Sequence, residues 1–341
     1  MARWRTLVLA LLLVVVGLGC PAPDDPGVTD NPPQDPPTDP EPPGEEGYPD
    51  LGVNADLHGA QVFPPDNPWN TRVDTLPVDP NSDTLINSIG RWDHLHPDFG
   101  ANWNGGPFGI PYIVVSGSTP GKQVEFDYWD ESDPGPYPIT ANTPIEGGPN
   151  SSGDRHMIMI DRDNWFLYEL YAVYPPDRPG EPYEAGSGAI WDLTSNDLRP
   201  AGWTSADAAG LPIFPGLVRY DEVVGQGEIK HAIRFTVSQS RKAYVYPARH
   251  YASNNTSASL PPMGMRVRLK AGFDISGFSA HNQVILRAMK KYGMIVADNG
   301  SDWYFSGAPD ARWDDDELSE LKSLVGDDFE VVQMGTIVTG K

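Results

Sequence analysis

The residue types that support catalysis are concentrated between residues 199 and 250. Carboxylates, imidazoles and guanidinium groups lie there among short apolar runs, and the small residues at 204–210 would let a substrate approach the backbone closely. The candidate catalytic residues are Asp207, Asp221, Glu222, His231, Arg234 and His250. The candidate substrate-binding residues are Trp203, Arg219, Tyr220 and Arg249, together with Glu169 further upstream.

One chemistry that fits these residues is glycoside hydrolysis. It needs two carboxyl groups across the scissile bond, about 5–5.5 Å apart for retention and about 6.5–9.5 Å apart for inversion. Asp207, Asp221, Glu222, Glu146 and Glu169 are the candidate carboxylates. Glu169 lies among aromatic residues in a predicted strand, a setting typical of sugar binding. For any single acid, however, a solvated surface position is the simpler explanation, because the chain has 47 acidic residues.

A polysaccharide lyase is the second chemistry. β-Elimination needs a base for the proton next to a uronate carboxylate and a cation or amide that neutralises that carboxylate. The base would be His231, His250 or Tyr220, and the neutralising group would be Arg234 or Arg249. His231 shares a strand face with apolar residues, so a purely structural role in the core also remains open for it.

Metal chemistry has weaker support in the sequence. His94 and His96 would point to the same side of a strand, with Asp98 nearby, but no second pair at a fixed spacing completes a ligand set. Asp161-Arg162-Asp163-Asn164 is predicted to be a hairpin turn rather than a Ca²⁺ loop. We therefore predict no cofactor and assign no metal ligand, and leave a bound Ca²⁺ or Zn²⁺ ion open.

The elements that would position these residues are mainly strands. Runs rich in β-branched and aromatic residues, bounded by turn residues, predict strands at 123–129, 157–161, 165–174, 188–193, 229–237, 243–247 and 265–270. Residues 294–297 and 303–305 are predicted to pair as a hairpin through a tight turn at Asn299-Gly300. This pattern predicts a mainly-β fold, a β-sandwich or jelly-roll-like single domain with long loops.

Two or three short helices accompany the strands. Residues 82–89 have an apolar face, with Ser82 as the predicted cap and Gly90 as the stop. Residues 281–292 repeat apolar side chains at helical spacing, begin after Ser279 and end at Gly293. A last helix near 315–324 begins with acidic residues, which stabilise the helix dipole without any metal.

The amino terminus predicts export. Arg3 and Arg5 precede an apolar run from Leu7 to Val16, which is too short to span a bilayer. Cys20, the only cysteine of the chain, follows small residues and resembles the bacterial lipoprotein signal, which implies lipid on its sulfur. An ordinary signal peptide with a chance cysteine is the alternative. Residues 1–20 are thus a predicted lipoprotein signal peptide, and the mature protein would be anchored to a bacterial membrane.

The segment after the signal differs from the rest. Residues 21–50 contain 11 prolines and 9 acidic residues and no basic one, a composition typical of a disordered tether. Residues 51–341 form the predicted globular domain. The net charge of −23, with no basic stripe, excludes nucleic acid as a partner and limits membrane contact to the lipid on Cys20.

Several stretches of the domain resemble a family of uncharacterised exported bacterial proteins. They are RPAGWTSADAAGLPI at 199–213, KHAIRFT at 230–236, PARH at 247–250 and YGMIVADNGS at 292–301. The resemblance implies that residues from about 60 to about 332 are one recurring unit, and it implies no activity.

Together these features predict an exported, lipid-anchored protein of the outer membrane or cell surface. We expect a carbohydrate-active enzyme, a glycoside hydrolase or a polysaccharide lyase, with a polysaccharide or surface glycan as its partner. The alternative is a non-catalytic surface module that binds glycan or protein.

Overall fold

Two mixed β-sheets form the body of the protein in the computed structural model, which describes residues 46–340. The predicted signal peptide, Cys20 and most of the predicted tether lie outside the described residues. The strands of residues 46–340 are, in chain order, β1 (Gly52–Val53), β2 (His96–Asp98), β3 (Gly100–Trp103), β4 (Gly106–Phe108), β5 (Tyr112–Val115), β6 (Val124–Phe126), β7 (Met157–Asp161), β8 (Phe166–Tyr171), β9 (Tyr183–Ala185), β10 (Ser187–Asp192), β11 (Ile233–Val237), β12 (Tyr244–Val245), β13 (Arg266–Leu269), β14 (Met294–Asn299), β15 (Tyr304–Ser306), β16 (Phe329–Val331) and β17 (Ile337–Val338). The predicted mainly-β domain is confirmed.

The first sheet has the order β1-β5-β7-β8-β10. Strands β5 and β7 are parallel, and the other neighbours are antiparallel. The predicted hairpin turn at 161–164 is confirmed, because β7 and β8 pair up to Asp161 and Phe166. The Asp161 carboxylate accepts hydrogen bonds from the backbone N–H groups of Asp163 and Asn164, so the acid shapes the turn.

The second sheet has the order β16-β13-β14-β11-β15-β2. Strand β11 lies between β14 and β15, parallel to the former and antiparallel to the latter. The predicted hairpin between residues 294–297 and 303–305 is therefore wrong. Strand β11 takes the position between them, with its backbone paired on both edges and with the buried side chains of Ile233 and Phe235 on one face.

Three α-helices lie in the described region: α1 (Ser82–Ile89), α2 (Ala280–Lys291) and α3 (Asp315–Ser319), the last continued by a 3-10 turn at Glu320–Ser323. Ser279 caps α2 by accepting a hydrogen bond from the N–H of Asn282. The prediction that Ser82 caps α1 is wrong, because Ser82 is the first helical residue and its hydroxyl instead accepts the N–H of Val331 in β16. Helix α1 is thereby tied to the second sheet.

One apolar core lies between the two sheets. It contains side chains of the first sheet, such as Ile158 and Ile160, and of the second, such as Phe235 and Val296. A smaller cluster that includes Met157 and Met159 covers the other face of the first sheet. Because β7 is buried on both faces, its sequence is a continuous apolar run rather than an alternating one. No helix within residues 46–340 is both long and apolar enough to cross a membrane.

Candidate active site

An open cleft lies where the two sheets approach each other. Its walls come from the ends of β8, β10 and β14, from the small-residue loop at 204–208, and from the loops at 128–131 and 250–252. Its volume is about 530 Å³, enough for part of a sugar chain. We call it the Asp298 cleft; its lining residues are Tyr128, Glu131, Asp154, Tyr171, Ser187, Thr204, Ser205, Ala206, Asp207, Ala208, His250, Ala252, Asp298 and Asn299.

A buried guanidinium forms the base of this cleft. Arg234 in β11 donates from Nε and Nη2 to the two carboxylate oxygens of Asp207, at 2.7 and 2.8 Å. Its Nη1 donates to the hydroxyl of Ser306 in β15 at 2.6 Å. Burial by itself would lower the pKa of Arg234, but Asp207 and Asp298 raise it above its ordinary value. Asp207 is therefore fixed by a bidentate pair with Arg234.

Asp298, at the end of β14, supplies a second carboxyl group that has no cation of its own. Its nearer oxygen lies 3.5 Å from Nη2 of Arg234, whose stronger bonds go to Asp207. Burial and the charge of Asp207, with which it shares a hydrogen bond, raise the pKa of Asp298 to about 8. Its side chain is 22 % exposed and lines the cleft, so Asp298 presents a protonated carboxyl group there at neutral pH.

His250 lies on the opposite loop with one nitrogen already engaged. Its Nδ1 lies 2.8 Å from the carbonyl oxygen of Ala208, which only accepts, so this bond assigns the proton to Nδ1. The ring stacks on Tyr251, with ring planes 9° apart and centroids 5.8 Å apart. His250 thus lines the wall of the cleft with its orientation fixed by these two contacts.

The exposed side of the cleft carries Tyr171 and Asp154. Burial and then the nearby carboxylates of Asp154 and Asp298 raise the pKa of Tyr171, as do the hydroxyls of Tyr128 and Tyr174. The phenol of Tyr171 is thus close to both acids. Asp154 is exposed, whereas Asp298 is largely buried, so two carboxyl groups in different environments belong to one cleft.

A buried imidazole supports the 204–208 loop from behind. Nδ1 of His156 lies 2.7 Å from Oε2 of Glu146, and Nε2 lies 3.1 Å from the carbonyl oxygen of Ala206. Burial would lower the pKa of His156, but Glu146 outweighs it and raises the pKa to about 9. The imidazolium therefore donates to both partners. The Ser187 hydroxyl adds a bond to the carbonyl of Ser205, at 2.7 Å, so the loop is held rigidly.

The predicted catalytic residues fall into two groups. Asp207, Arg234 and His250 come together at the Asp298 cleft. Asp207 and Arg234 are both buried and are hydrogen-bonded to each other. Asp221, Glu222 and His231 lie elsewhere, with Arg219, beside a cavity of about 30 Å³ that has room for water but not for a sugar. These candidates therefore do not all meet at one site; Asp221 and Glu222 belong to a π-helical turn at Asp221–Gln226 and do not line the cleft.

We call this second group the Arg219 cluster: Arg219, Asp221, Glu222 and His231. Nη2 of Arg219 lies 2.6 Å from Oε1 of Glu222, and Nε2 of His231 lies 3.1 Å from Oε2 of the same carboxylate. Burial would raise the pKa of Glu222, but Arg219 and His231 lower it. Burial raises the pKa of Asp221 in spite of Arg219, whose Nε lies 3.5 Å from its Oδ1.

The predicted substrate-binding residues lie outside the cleft lining within residues 46–340. Glu169 is fully buried in β8 and accepts the N–H groups of Ile213 and Phe214 at 2.8–2.9 Å; burial raises its pKa to about 7. The ring of Tyr220 packs against Trp313 and Arg312, and that of Trp203 packs against Arg199. Arg249 donates a hydrogen bond to the carbonyl of Arg199, and Arg219 pairs with Glu222 in the cluster described above.

Sequence reasoning missed Asp298 and Asp154 as site residues. The signal for Asp298 was present, because a single acid directly follows four buried apolar residues of β14 and so lies where that strand leaves the core. Asp154 has no comparable signal, since it lies in a polar loop. The histidines of the His94-Leu95-His96 motif also have structural partners, the carbonyl of Lys322 for His94 and the ring of Tyr304 for His96.

Among residues 46–340, no group of three or more His, Cys, Asp or Glu side chains has the arrangement of a metal site. Comparison of the chain with protein-family models, with curated proteins and with solved structures finds no match.

Proposed function

We propose that the protein is an exported carbohydrate-active hydrolase whose catalytic site is the Asp298 cleft. The observation that carries the proposal is that the carboxyl group of Asp298, whose pKa burial and Asp207 raise to about 8, lines an open cleft together with the exposed Asp154. Two carboxyl groups in such different environments are what glycoside hydrolysis needs, one as acid and one as base or nucleophile.

The roles follow from the environments. Asp298 donates its proton to the glycosidic oxygen as the C–O bond to the anomeric carbon breaks. Asp154 takes a proton from water, whose oxygen forms the new bond to that carbon, and solvent later exchanges the proton from Asp154 back to Asp298. Asp207 raises the pKa of Asp298, and Arg234 holds Asp207 in place through two hydrogen bonds. Tyr171 and Tyr128 provide aromatic surface for the sugar.

Hydrolysis is favoured over elimination because the predicted neutralising cations are already engaged. Arg234 makes three short hydrogen bonds to Asp207 and Ser306. Arg249 lies outside the cleft lining and donates from Nε to a backbone carbonyl. A uronate carboxylate would enter a cleft lined by the acids Glu131 and Asp154, which repel it.

A non-catalytic glycan- or protein-binding module is the second candidate. It is favoured by the separation of Asp221, Glu222 and His231 from the cleft, because a site built from fewer reactive residues is closer to a binding surface. The two candidates differ in one measurable property, which is the release of new reducing ends.

The test is a screen of the purified full-length protein against neutral, acidic and amine-bearing polysaccharides, with reducing ends and unsaturated uronates measured in parallel. We expect reducing ends from one polymer class with the wild type and a loss with Asp298→Asn. Asp177→Asn, the same substitution at an exposed acid, is the matched control. Uronate absorbance would instead support the lyase, and binding without any product would support the module.

The predicted location belongs to the same proposal. Lipid on Cys20 would hold the domain at the outer membrane or cell surface, and the proline-rich segment would let it reach a polymer. We expect Cys20→Ser to abolish incorporation of labelled fatty acid and to move the protein from the membrane fraction to the soluble one. Labelling that persists in this variant would contradict the lipoprotein prediction.

A further inference from the structure

A second groove lies apart from the cleft, along the β3–β4 hairpin. Segments 146–148 and 309–312 form its other wall, and its volume is about 950 Å³. The residues that matter for its chemistry are Trp103, Phe108, Asp98, Glu146, Asp310 and Arg312. We call it the Trp103 groove. The mechanism proposed above uses none of these six side chains to contact substrate.

The groove displays a large aromatic surface on a fixed support. Trp103 exposes 68 % of its surface, and its ring lies 6.3 Å from that of Phe108. The hairpin is anchored from below, because the Asp315 carboxylate accepts hydrogen bonds from the backbone N–H groups of Ala101 and Asn102, at 2.8 and 3.0 Å. An indole that is held outward on an anchored strand is positioned to stack on a flat ligand.

The charges that line the groove are internally compensated. Arg312 lies 2.6 Å from Asp310, and Glu146 lies 2.7 Å from the imidazolium of His156. Burial and the charge of Glu146 raise the pKa of Asp98 above its ordinary value, which lessens the remaining negative charge. On a chain of net charge −23, this groove therefore matches an uncharged, hydroxyl-rich ligand better than an ionic one.

Bare backbone faces the same space. At Gly105, Gly106 and Gly148, no heavy atom lies within 4 Å of the position that a Cβ would occupy. The N–H groups of Gly105 and Gly148 already donate to Oδ1 of Asn102 and to the carbonyl oxygen of Ile145, so the bare backbone provides open space for a ligand rather than free donors. An aromatic platform beside this open space suits a sugar ring, whose apolar face can stack on the indole.

We propose that the Trp103 groove is a second binding site for a neutral polysaccharide chain, with a sugar ring stacked on Trp103. This site would hold the polymer to the protein while the Asp298 cleft acts on it. The inference rests on the proposed function for the identity of the polymer as the substrate, but binding in the groove does not require the cleft to be catalytic.

The test measures binding and turnover separately with the full-length protein. The binding probes are insoluble cellulose, xylan and mannan, with polygalacturonate and chitosan as charged counterparts, in co-sedimentation assays. We expect the wild type to bind at least one neutral polymer and Trp103→Ala to bind it at least tenfold more weakly, whereas Trp103→Phe keeps part of the affinity. Trp92→Ala, which removes an indole that is 70 % exposed and lines neither the groove nor the cleft, is the matched control.

A second variant covers the case in which Trp103→Ala fails to fold. Gly106→Gln keeps the indole and places a side chain in the groove, at a position with free space and no positive backbone φ. We expect it to weaken polymer binding as well, with turnover of a short soluble oligosaccharide changed by less than twofold in both variants.

The outcomes separate the two proposals. Wild-type affinity in both variants, or binding only to the charged polymers, would overturn the groove proposal. If Trp103→Ala weakens polymer binding and the wild type releases no product from any polymer, the groove stands and the hydrolase proposal falls. If products appear and both groove variants bind the polymer as the wild type does, the hydrolase proposal stands and the groove proposal falls.

Discussion

Two buried charge clusters of this protein have almost the same composition but differ in the partners of their carboxyl groups. Each contains one arginine and two carboxyl groups: Arg234 with Asp207 and Asp298, and Arg219 with Asp221 and Glu222. In the Arg219 cluster, His231 supplies a further hydrogen-bond partner to Glu222. At the cleft, the only ion pair of Asp298 within residues 46–340 is the 3.5 Å contact to Arg234, and its pKa is raised to about 8.

The space in front of each cluster differs even more. The Arg219 cluster borders a cavity of about 30 Å³, and the Asp298 cleft has about 530 Å³. Perturbed acids alone therefore do not identify an active site, because structural ion-pair networks shift pKa values as well. What distinguishes the cleft is a carboxyl group with a raised pKa that also faces a volume large enough for a ligand.

The largest expected effect is on catalysis at the cleft. Asp298→Asn keeps the hydrogen bond to Asp207 but cannot give up a proton, so we expect turnover to fall by about 10²- to 10⁴-fold, the usual contribution of a general acid. Glu222→Gln should leave the turnover of the folded protein within about twofold of the wild type, since the cluster has no substrate space. Initial rates per folded molecule check both. A comparable rate loss in Glu222→Gln would reverse the assignment of the two regions.

The next effect is on stability, and here the two regions should behave alike. Asp207→Ala leaves the buried Arg234 without its main partner, and Glu222→Ala does the same to Arg219. Breaking a buried pair from one side costs about 3–5 kcal/mol, so we expect both variants to lower the free energy of unfolding by that amount. Urea denaturation measures it. A loss below about 1 kcal/mol in either variant would mean that its arginine is less buried than the structure has it.

A smaller effect is expected in the pH dependence of stability. Asp298 and Glu169 have raised pKa values of about 8 and about 7, and His156 one of about 9. In each case the folded state holds the proton longer than the unfolded state, so the stabilisation that these three groups contribute is fully present below their ordinary pKa values and is lost as the pH rises through the raised ones. We expect the wild type to lose stability between pH 6 and 9.

Asp298→Asn removes one of the three titrating groups and should flatten the decline between pH 6 and 8. Denaturant melts at each pH, with Asp177→Asn as the control, measure the difference. An unchanged decline in Asp298→Asn would show that Asp298 does not hold a proton in the folded protein. Because the acid form is the active one, we also expect hydrolysis to fall as the pH rises through about 8.

The smallest expected effect is at the edge of the Arg219 cluster. Lys230 lines its small cavity and lies 4.0 Å from Glu228, in a pair whose side chains are both about half exposed. Lys230→Ala should therefore change the free energy of unfolding by less than about 0.5 kcal/mol and leave the rate unchanged. A clear loss of activity in this variant would indicate that the Arg219 cluster does contact substrate.

Sequence reasoning predicted the elements well where a local pattern was decisive. The bounds of β7 and of α1 match the predicted ranges, and α2 is shifted by a single residue, because apolar periodicity and stop residues act over a few positions. The partner of Tyr304–Ser306 was wrong, since the insertion of β11 beside it depends on a pairing over about 70 positions of sequence.

The candidate site was predicted less completely than the fold. Asp207, Arg234 and His250 were found because they occur in one dense polar stretch, and they do meet at one end of the molecule. Asp298 lies 91 residues after Asp207 in the numbering of the chain and was not connected to it. Nothing in the local pattern indicates that β14 and the 204–208 loop end at the same cleft.

The sequence by itself determined the class of fold, the positions of the main helices and strands, and the predicted export signal, because each depends on neighbouring residues. Only the tertiary structure decided which carboxyl group keeps a proton. Asp221, Glu222 and Asp298 are chemically similar, and their pKa values diverge through burial, through the number of cations within reach and through the open space beside them. Those quantities arise from chain segments that are distant in sequence, so they exist only in the folded protein.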